Sequence, residues 1–239
     1  MLREIKKKKW ILDNRKPYDF ETLRLFEEMD RVDWIYSSLK LEGRQLKKSD
    51  VERISGGEFL VEIPVNDHAA ISNYLDAIKE MRYMGEMKIS LDKKYLKKIH
   101  EMLFPEEEEG YRSNNPILRM LSYNPPHFHA IEEQLDLLFS WLSQEGETLD
   151  PVEQAACLHN RLIEIYPFEV GTEATARAAA QYTLLSHGLP PAAWNLSEME
   201  YYDALRLYLK KEDISPIRDV LVRGVYNKLE VMLQMTATE

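Results

Sequence analysis

Between Tyr166 and Arg177 the sequence collects side chains able to meet a phosphate, a metal ion or a proton: Tyr166, Glu169, Thr172, Glu173, Thr175 and Arg177, with Gly171 at a bend. Thr172 is a good cap for a helix beginning there. The hydroxyls of Thr172 and Thr175 suit donation to a phosphate and suit early-helix positions equally well, and the residues alone leave both readings open. Glu173, in the first turn, stabilises its own helix through the dipole yet repels a phosphate from the same place. Tyr166, with an ordinary pKa of about 10, is a proton donor at neutral pH and not a base.

A second grouping is Ser38, Glu42 and Gly43. Serine and glutamate at i and i+4 share one helix face, so both can point at one target. Glu42 falls in the last turn of its helix, where unpaired carbonyls disfavour a carboxylate, so a nearby cation is expected. His127, His129, Glu132 and Glu133 are metal-ligand types, but their spacing matches no strong zinc pattern and they read as surface groups. His159 reads as a satisfied core histidine and Cys157 as a buried structural thiol. Tyr201, Tyr202, Tyr208 and Trp194 read as packing.

The elements that must position these groups are nearly all helical. Apolar residues at three- and four-residue steps predict a helix over residues 17–41 with Gly43 as its C-terminal cap. A short apolar stretch over 59–65 leads to a helix over about 68–84, with Asn66 or Asp67 as cap. A further helix covers 91–103, with Leu91, Tyr95, Ile99 and Met102 on one face. Residues 110–126 break the pattern: 111–113 and 117–123 read as short extended pieces about a turn at 114–116. A helix resumes through Ile131, Leu135, Leu138 and Leu142. Asp150-Pro151-Val152-Glu153 is a strong helix start, and that helix stops at Pro167. The alanine-rich helix after Thr172 is expected to be central and most buried. Ser197 with Glu200 forms a capping box, and Ser215-Pro216 opens a last helix facing inward through Ile217, Val220, Leu221, Val225, Leu229 and Met232.

The chain has 239 residues, 44% hydrophobic and 30% charged, enough for one large domain with a real core. A net charge of −10 argues against a general nucleic-acid binder. The basic run at Arg3 and Lys6 to Lys9 reads as a solvated terminus, and the acidic run 106–109 as a solvated loop. The single cysteine excludes an internal disulfide and suits a reducing compartment. No apolar run is long enough to cross a bilayer and no signal peptide is evident, so a cytoplasmic location without membrane contact is expected.

The run Tyr166-Pro167-Phe168-Glu169-Val170-Gly171-Thr172-Glu173-Ala174-Thr175-Ala176-Arg177 resembles the Fic (Fido) family signature H-P-F-x-D-G-N-G-R-x-x-R. Pro167, Phe168, Gly171 and Arg177 match it. Tyr166 replaces the histidine, Val170 the acid, Thr172 the asparagine, and Glu173-Ala174 the Gly-Arg pair. Ser38 to Gly43 is similar to the inhibitory motif (S/T)-x-x-x-E-(G/N) of regulated Fic proteins. Tyr111, Arg112 and Ser113 are similar to the family's target-binding flap, and the likeness runs from about Ser37 to Arg218.

The resemblance implies an all-α, Fic-type helical bundle with one small β-hairpin flap. An N-terminal region of residues 1–60 would carry the inhibitory motif and 61–239 the core, as one continuous fold; the chain shows no convincing linker. Fic enzymes move AMP from ATP to protein hydroxyls: the histidine is the base, the acid holds Mg²⁺, helix-start N–H groups cradle the anion, and arginines fix the phosphates. Gly171, Thr172, Thr175 and Arg177 are the implied nucleotide contacts, and Glu42 is the implied partner of Arg177. Tyr166 and Val170 remove base and metal seat, so no catalytic residue is intact. ATP stays a candidate cofactor and Mg²⁺ a doubtful one, unless a shifted loop brings Glu169 to a metal. The reading that follows is a catalytically impaired regulator binding a protein target and, with it, a nucleotide. An active nucleotidyl- or phosphotransferase of altered mechanism, and a structural subunit without nucleotide, are the alternatives; a homo-oligomer is left open.

Overall fold

The computed structural model describes residues 1–107 and 110–237. Among them are ten α-helices: α1 (Leu2–Asp13), α2 (Phe20–Leu41), α3 (Lys48–Ser55), α4 (Val65–Glu86), α5 (Lys93–Leu103), α6 (Ile131–Leu142), α7 (Pro151–Ile165), α8 (Thr172–Ser186), α9 (Glu198–Lys211) and α10 (Ser215–Met235). The all-α expectation holds.

The centre is the pair α7 and α8. Asp150 caps α7 by accepting from the Val152 N–H at 3.2 Å, with Pro151 in the first turn. Ala174, Ala176 and Ala178 to Ala180 keep side-chain bulk low over the first part of α8, and α4, α5 and α7 pack on the helix, which is buried nearly throughout. The Ser197–Glu200 box opens α9 as expected.

The end of α2 is equally defined. The Gly43 N–H reaches the Lys40 carbonyl at 3.1 Å and the Arg44 N–H reaches Leu39 at 3.0 Å, with Gly43 at φ +79°. This is a Schellman closure, which glycine enters without a side-chain penalty. Farther back, Lys228 of α10 pairs with Asp33 and lies 3.5 Å from Asp30, while Arg82 of α4 meets Asp30 at 3.2 Å. Burial raises the Asp30 pKa against those cations.

Several expectations change. The basic N-terminal run is helical: Ile5 and Leu12 are buried, α1 packs on α10, and Lys8 pairs with Glu230. Residues 48–55 form a helix that the sequence reading left out. Helix α4 starts earlier than predicted, with Pro64 at its cap, and Asp67 pairs with Arg44 instead of capping. In the apolar stretch 59–65 Leu60 is buried, whereas Phe59, Val61 and Val65 are exposed. The buried face of α5 is Leu96, Ile99, His100 and Leu103. Glu106 and Glu107 are exposed, and the rest of the acidic run lies outside the described residues.

The hairpin flap is not formed among the described residues; a single antiparallel bridge joins Leu118 to Tyr123. The reason is Arg112. Its side chain is buried and donates to the carbonyls of Tyr166 at 2.7 Å, Asn114 at 2.6 Å and Pro126, while its backbone N–H meets Pro167 at 2.9 Å. Residues 111–113 are thereby tied to the α7–α8 loop and are not free to pair with 117–123.

Candidate functional site

Helix α7 ends at Tyr166, whose φ of +49° is a left-handed conformation that a bulky residue seldom takes and that costs about 1–3 kcal/mol. The turn carries its ring back over the start of α8, seven residues on. There its hydroxyl donates to Glu173 Oε1 at 3.0 Å. Burial, reinforced by the Glu173 charge, raises the Tyr166 pKa, so the phenol keeps its proton. Glu173 occupies the second position of α8, beside the unpaired N–H groups of the helix start.

The loop between the helices is held from below. The His100 ring stacks on Phe168 with centroids 3.8 Å apart, and its Nε2–H donates to the Val170 carbonyl at 2.9 Å. Burial lowers the His100 pKa, with the Val170 bond working against it. Gly171 has φ +78°, and a Cβ there would run into the ring of Phe104. His100 and Phe104 escaped the sequence reading; their signal was an i, i+4 aromatic pair at the end of α5.

Thr172 is the first residue of α8 and not its cap, which is Gly171. Its hydroxyl is spent within the loop, accepting from the Phe168 N–H at 3.0 Å and donating to the Phe168 carbonyl at 3.1 Å. Thr175 is buried, its hydroxyl without a partner, and does not line the cleft above α8. Neither threonine side chain is therefore placed to meet a ligand there.

Arg177 is. It is 1% exposed and donates through Nη2 to Glu42 Oε1 at 2.9 Å and to the Ser38 carbonyl at 3.4 Å. Tyr74 donates its hydroxyl to the same Glu42 oxygen, and the guanidinium lies 5.5 Å from the Tyr201 ring. The cation expected near Glu42 is thus Arg177. Ser38 takes part through its backbone, since its hydroxyl is buried without a partner. A buried pair of this kind is costly to half-remove, because the survivor keeps an uncompensated charge.

These residues border a cleft of about 360 Å³ walled by Glu42, Phe104, Glu173, Arg177, Tyr201 and Tyr202. Across the loop a second cavity of about 570 Å³ meets His100, Tyr111, Arg112, Ser113, Asn114 and Glu169. Tyr111 packs near Phe168 beneath Lys97, whose ammonium lies 4.2 Å from its ring. Of the three flap residues only Ser113 is exposed.

The donor set does not fit a divalent metal. Val170 supplies no side-chain oxygen, Glu169 accepts from the Asn114 amide, and no group of three or more metal-binding side chains occurs among the described residues. His127 and His129 are exposed and stack on each other. His159 is buried between Asn160 at 3.1 Å and the Tyr201 hydroxyl at 2.8 Å, and burial lowers its pKa to about 3. Cys157 is half-buried, which raises its thiol pKa.

Residues 90–184 match the model of the Fic/DOC family. A protein adenylyltransferase Fic of Nematostella vectensis is 30% identical over 134 residues, covering 55% of this chain and 31% of that protein. A uridine 5'-monophosphate transferase of Xanthomonas campestris is 29% identical over 150 residues, 53% of this chain and 27% of that protein. The chain thus spans about a third or less of these relatives. A Fic domain containing signaling protein from Bacteroides thetaiotaomicron superposes with a TM-score of 0.86 over 100% of this chain and 99% of the other, at 18% identity. That likeness concerns the fold. No helix among the described residues is long and apolar enough to cross a membrane.

Proposed function

We propose, from the match of residues 90–184 to the Fic/DOC family model, that this protein is a Fic-type regulator that keeps the adenylyltransferase architecture, engages a protein target, and is impaired in nucleotide transfer. The Tyr166–Glu173 pair carries this reading. Transfer to a hydroxyl needs a base near neutral pKa and a helix start open to phosphate. Here the place of the base is taken by a phenol whose pKa burial pushes further up, and the helix start holds a carboxylate. Losing base assistance alone costs about 10²–10⁴ in rate. Without an acid at Val170, charge developing on a phosphate meets no metal at that point.

Two features still favour ligand binding: the open cleft, and Arg177 at its wall. The Glu42–Arg177 pair supports autoinhibition, because nucleotide gains the arginine only when Glu42 yields it. A target protein reaches the same loop past Ser113 and the cavity beside Tyr111.

Incubation of the whole chain with α-labelled ATP and Mg²⁺, with and without candidate protein acceptors, is expected to leave every polypeptide unlabelled. Covalent label driven by the unaltered protein overturns the reading. One observation favours a transferase of altered donor: a relative bears the name uridine 5'-monophosphate transferase. The same assay with α-labelled UTP tests it.

A further inference from the structure

The charges around the cleft are already matched, with one exception. Arg177 is paired with Glu42, and Arg44 with Asp67. Among the described residues Glu173 has no cationic partner; its hydrogen bond comes from the Tyr166 hydroxyl at 3.0 Å. The partial positive charge of the α8 start offsets part of its charge. Its carboxylate accepts from the Tyr166 hydroxyl, and the part-exposed Phe104 and Tyr202 share its cleft wall, while the buried Tyr201 ring already lies beside Arg177. The Glu173 charge adds to burial in raising the pKa values of Tyr166 and Tyr202.

A phosphate entering this cleft meets the Glu173 carboxylate and, among the described residues, no free cation, so Coulomb repulsion opposes it. A carboxylate beside aromatic rings suits the opposite charge, because a cation supplies the missing counterion and aromatic rings attract cations. A volume of about 360 Å³ falls in the usual range of about 300–1,000 Å³ for a small-ligand site.

We propose that the cleft above α8 is a binding site for an organic cation, an alkylammonium or guanidinium group, seated between Glu173 and the rings of Phe104 and Tyr202. The site rests on the reading that this cleft does not turn over nucleotide, and it names what the resting cleft accepts. Two sources carry that chemistry, a free small cation and a basic side chain of a protein partner.

The test is calorimetric titration of the full chain with methylguanidinium chloride, tetramethylammonium chloride and a blocked pentapeptide bearing one central arginine, at matched ionic strength. Saturable binding is expected in the unaltered protein. Glu173→Gln should weaken it by about tenfold or more and tighten AMP binding by a similar factor. Glu4→Gln, far along the sequence at the exposed N-terminal helix, should change neither. Tyr202→Leu, at a half-buried position, provides a second variant and should also weaken the cation, with circular dichroism checking the fold of each. A pentapeptide binding more tightly than methylguanidinium supports a protein side chain as the source, and equal binding supports a free cation. No saturable cation binding, or equal binding in folded Glu173→Gln, overturns the proposal. Covalent labelling from ATP with cation binding intact would overturn the impaired-transfer reading and leave the site standing.

Discussion

Glu42 and Arg177, 135 positions apart, share a 2.9 Å ion pair at the point where the end of α2 meets the middle of α8. The arginine is fully enclosed, whereas the glutamate side chain is 19% exposed, so the glutamate is the more accessible partner. In Glu42→Gly the guanidinium should become available to a ligand phosphate. AMP binding by calorimetry should tighten by about tenfold, near 1.4 kcal/mol, while the melting temperature falls because a buried charge has lost its counterion. Unaltered affinity would separate the pair from ligand control.

Restoring transfer should demand more than this release. With Tyr166→His, Val170→Asp and Thr172→Asn the cleft regains a base and a metal seat, yet Glu173 still guards the helix start. Label from α-labelled ATP is expected to appear strongly only when Glu173→Gly and Glu42→Gly are added. The Thr172 change also removes two bonds to Phe168, so the combined protein should be less stable. Full labelling by the triple variant alone would show that Glu173 is no obstacle.

Gly171 and Phe104 should behave as one unit. Gly171→Ala suffers both a positive φ and a collision with the ring, and should cost more than about 1 kcal/mol in chemical unfolding. Adding Phe104→Ala removes the collision and leaves the backbone strain. The double variant should therefore lose less than the sum of the single losses. Strict additivity would mean that the ring has room to move.

Acid should loosen the core through its histidines. His159 has a folded pKa of about 3, against an ordinary value near 6.5, and His100 is shifted the same way. Below about pH 6.5 the unfolded chain takes up protons that the native protein refuses, so stability is complete above that pH and falls toward pH 3. The slope per histidine approaches about 1.4 kcal/mol per pH unit. Unfolding midpoints measured from pH 7 to 4 should fall accordingly, and His159→Gln should flatten the curve. A slope unaffected by that change would assign the acid sensitivity elsewhere.

The α7–α8 centre was legible because its signals are local: Asp150-Pro151 at one start, an alanine run in the next helix, and the Ser197–Glu200 box beyond. Glu42 was legible through an energetic oddity, a carboxylate at a helix end. Helix α1 was hidden because four consecutive lysines mask a stripe made by Ile5 and Leu12 alone. The flap was misjudged because alternation and a turn do not reveal that Arg112 will be drawn inward by three carbonyls. The Tyr166–Glu173 pair was invisible for a related reason. It exists only because Tyr166 adopts a left-handed backbone, which no neighbouring residue type announces.

The clamp of Lys228 on Asp30 and Asp33 divides α2 into unequal parts. The upstream portion is bolted to α10, so parting Glu42 from Arg177 need not swing the whole helix. Release would then take the opening of the last turn alone, against the burial of Leu39 and Leu41 and the Schellman closure at Gly43. Amide exchange should accordingly be quick at 39–43 and slow at 30–34; protection that is uniform along the helix would instead require the entire rod to travel.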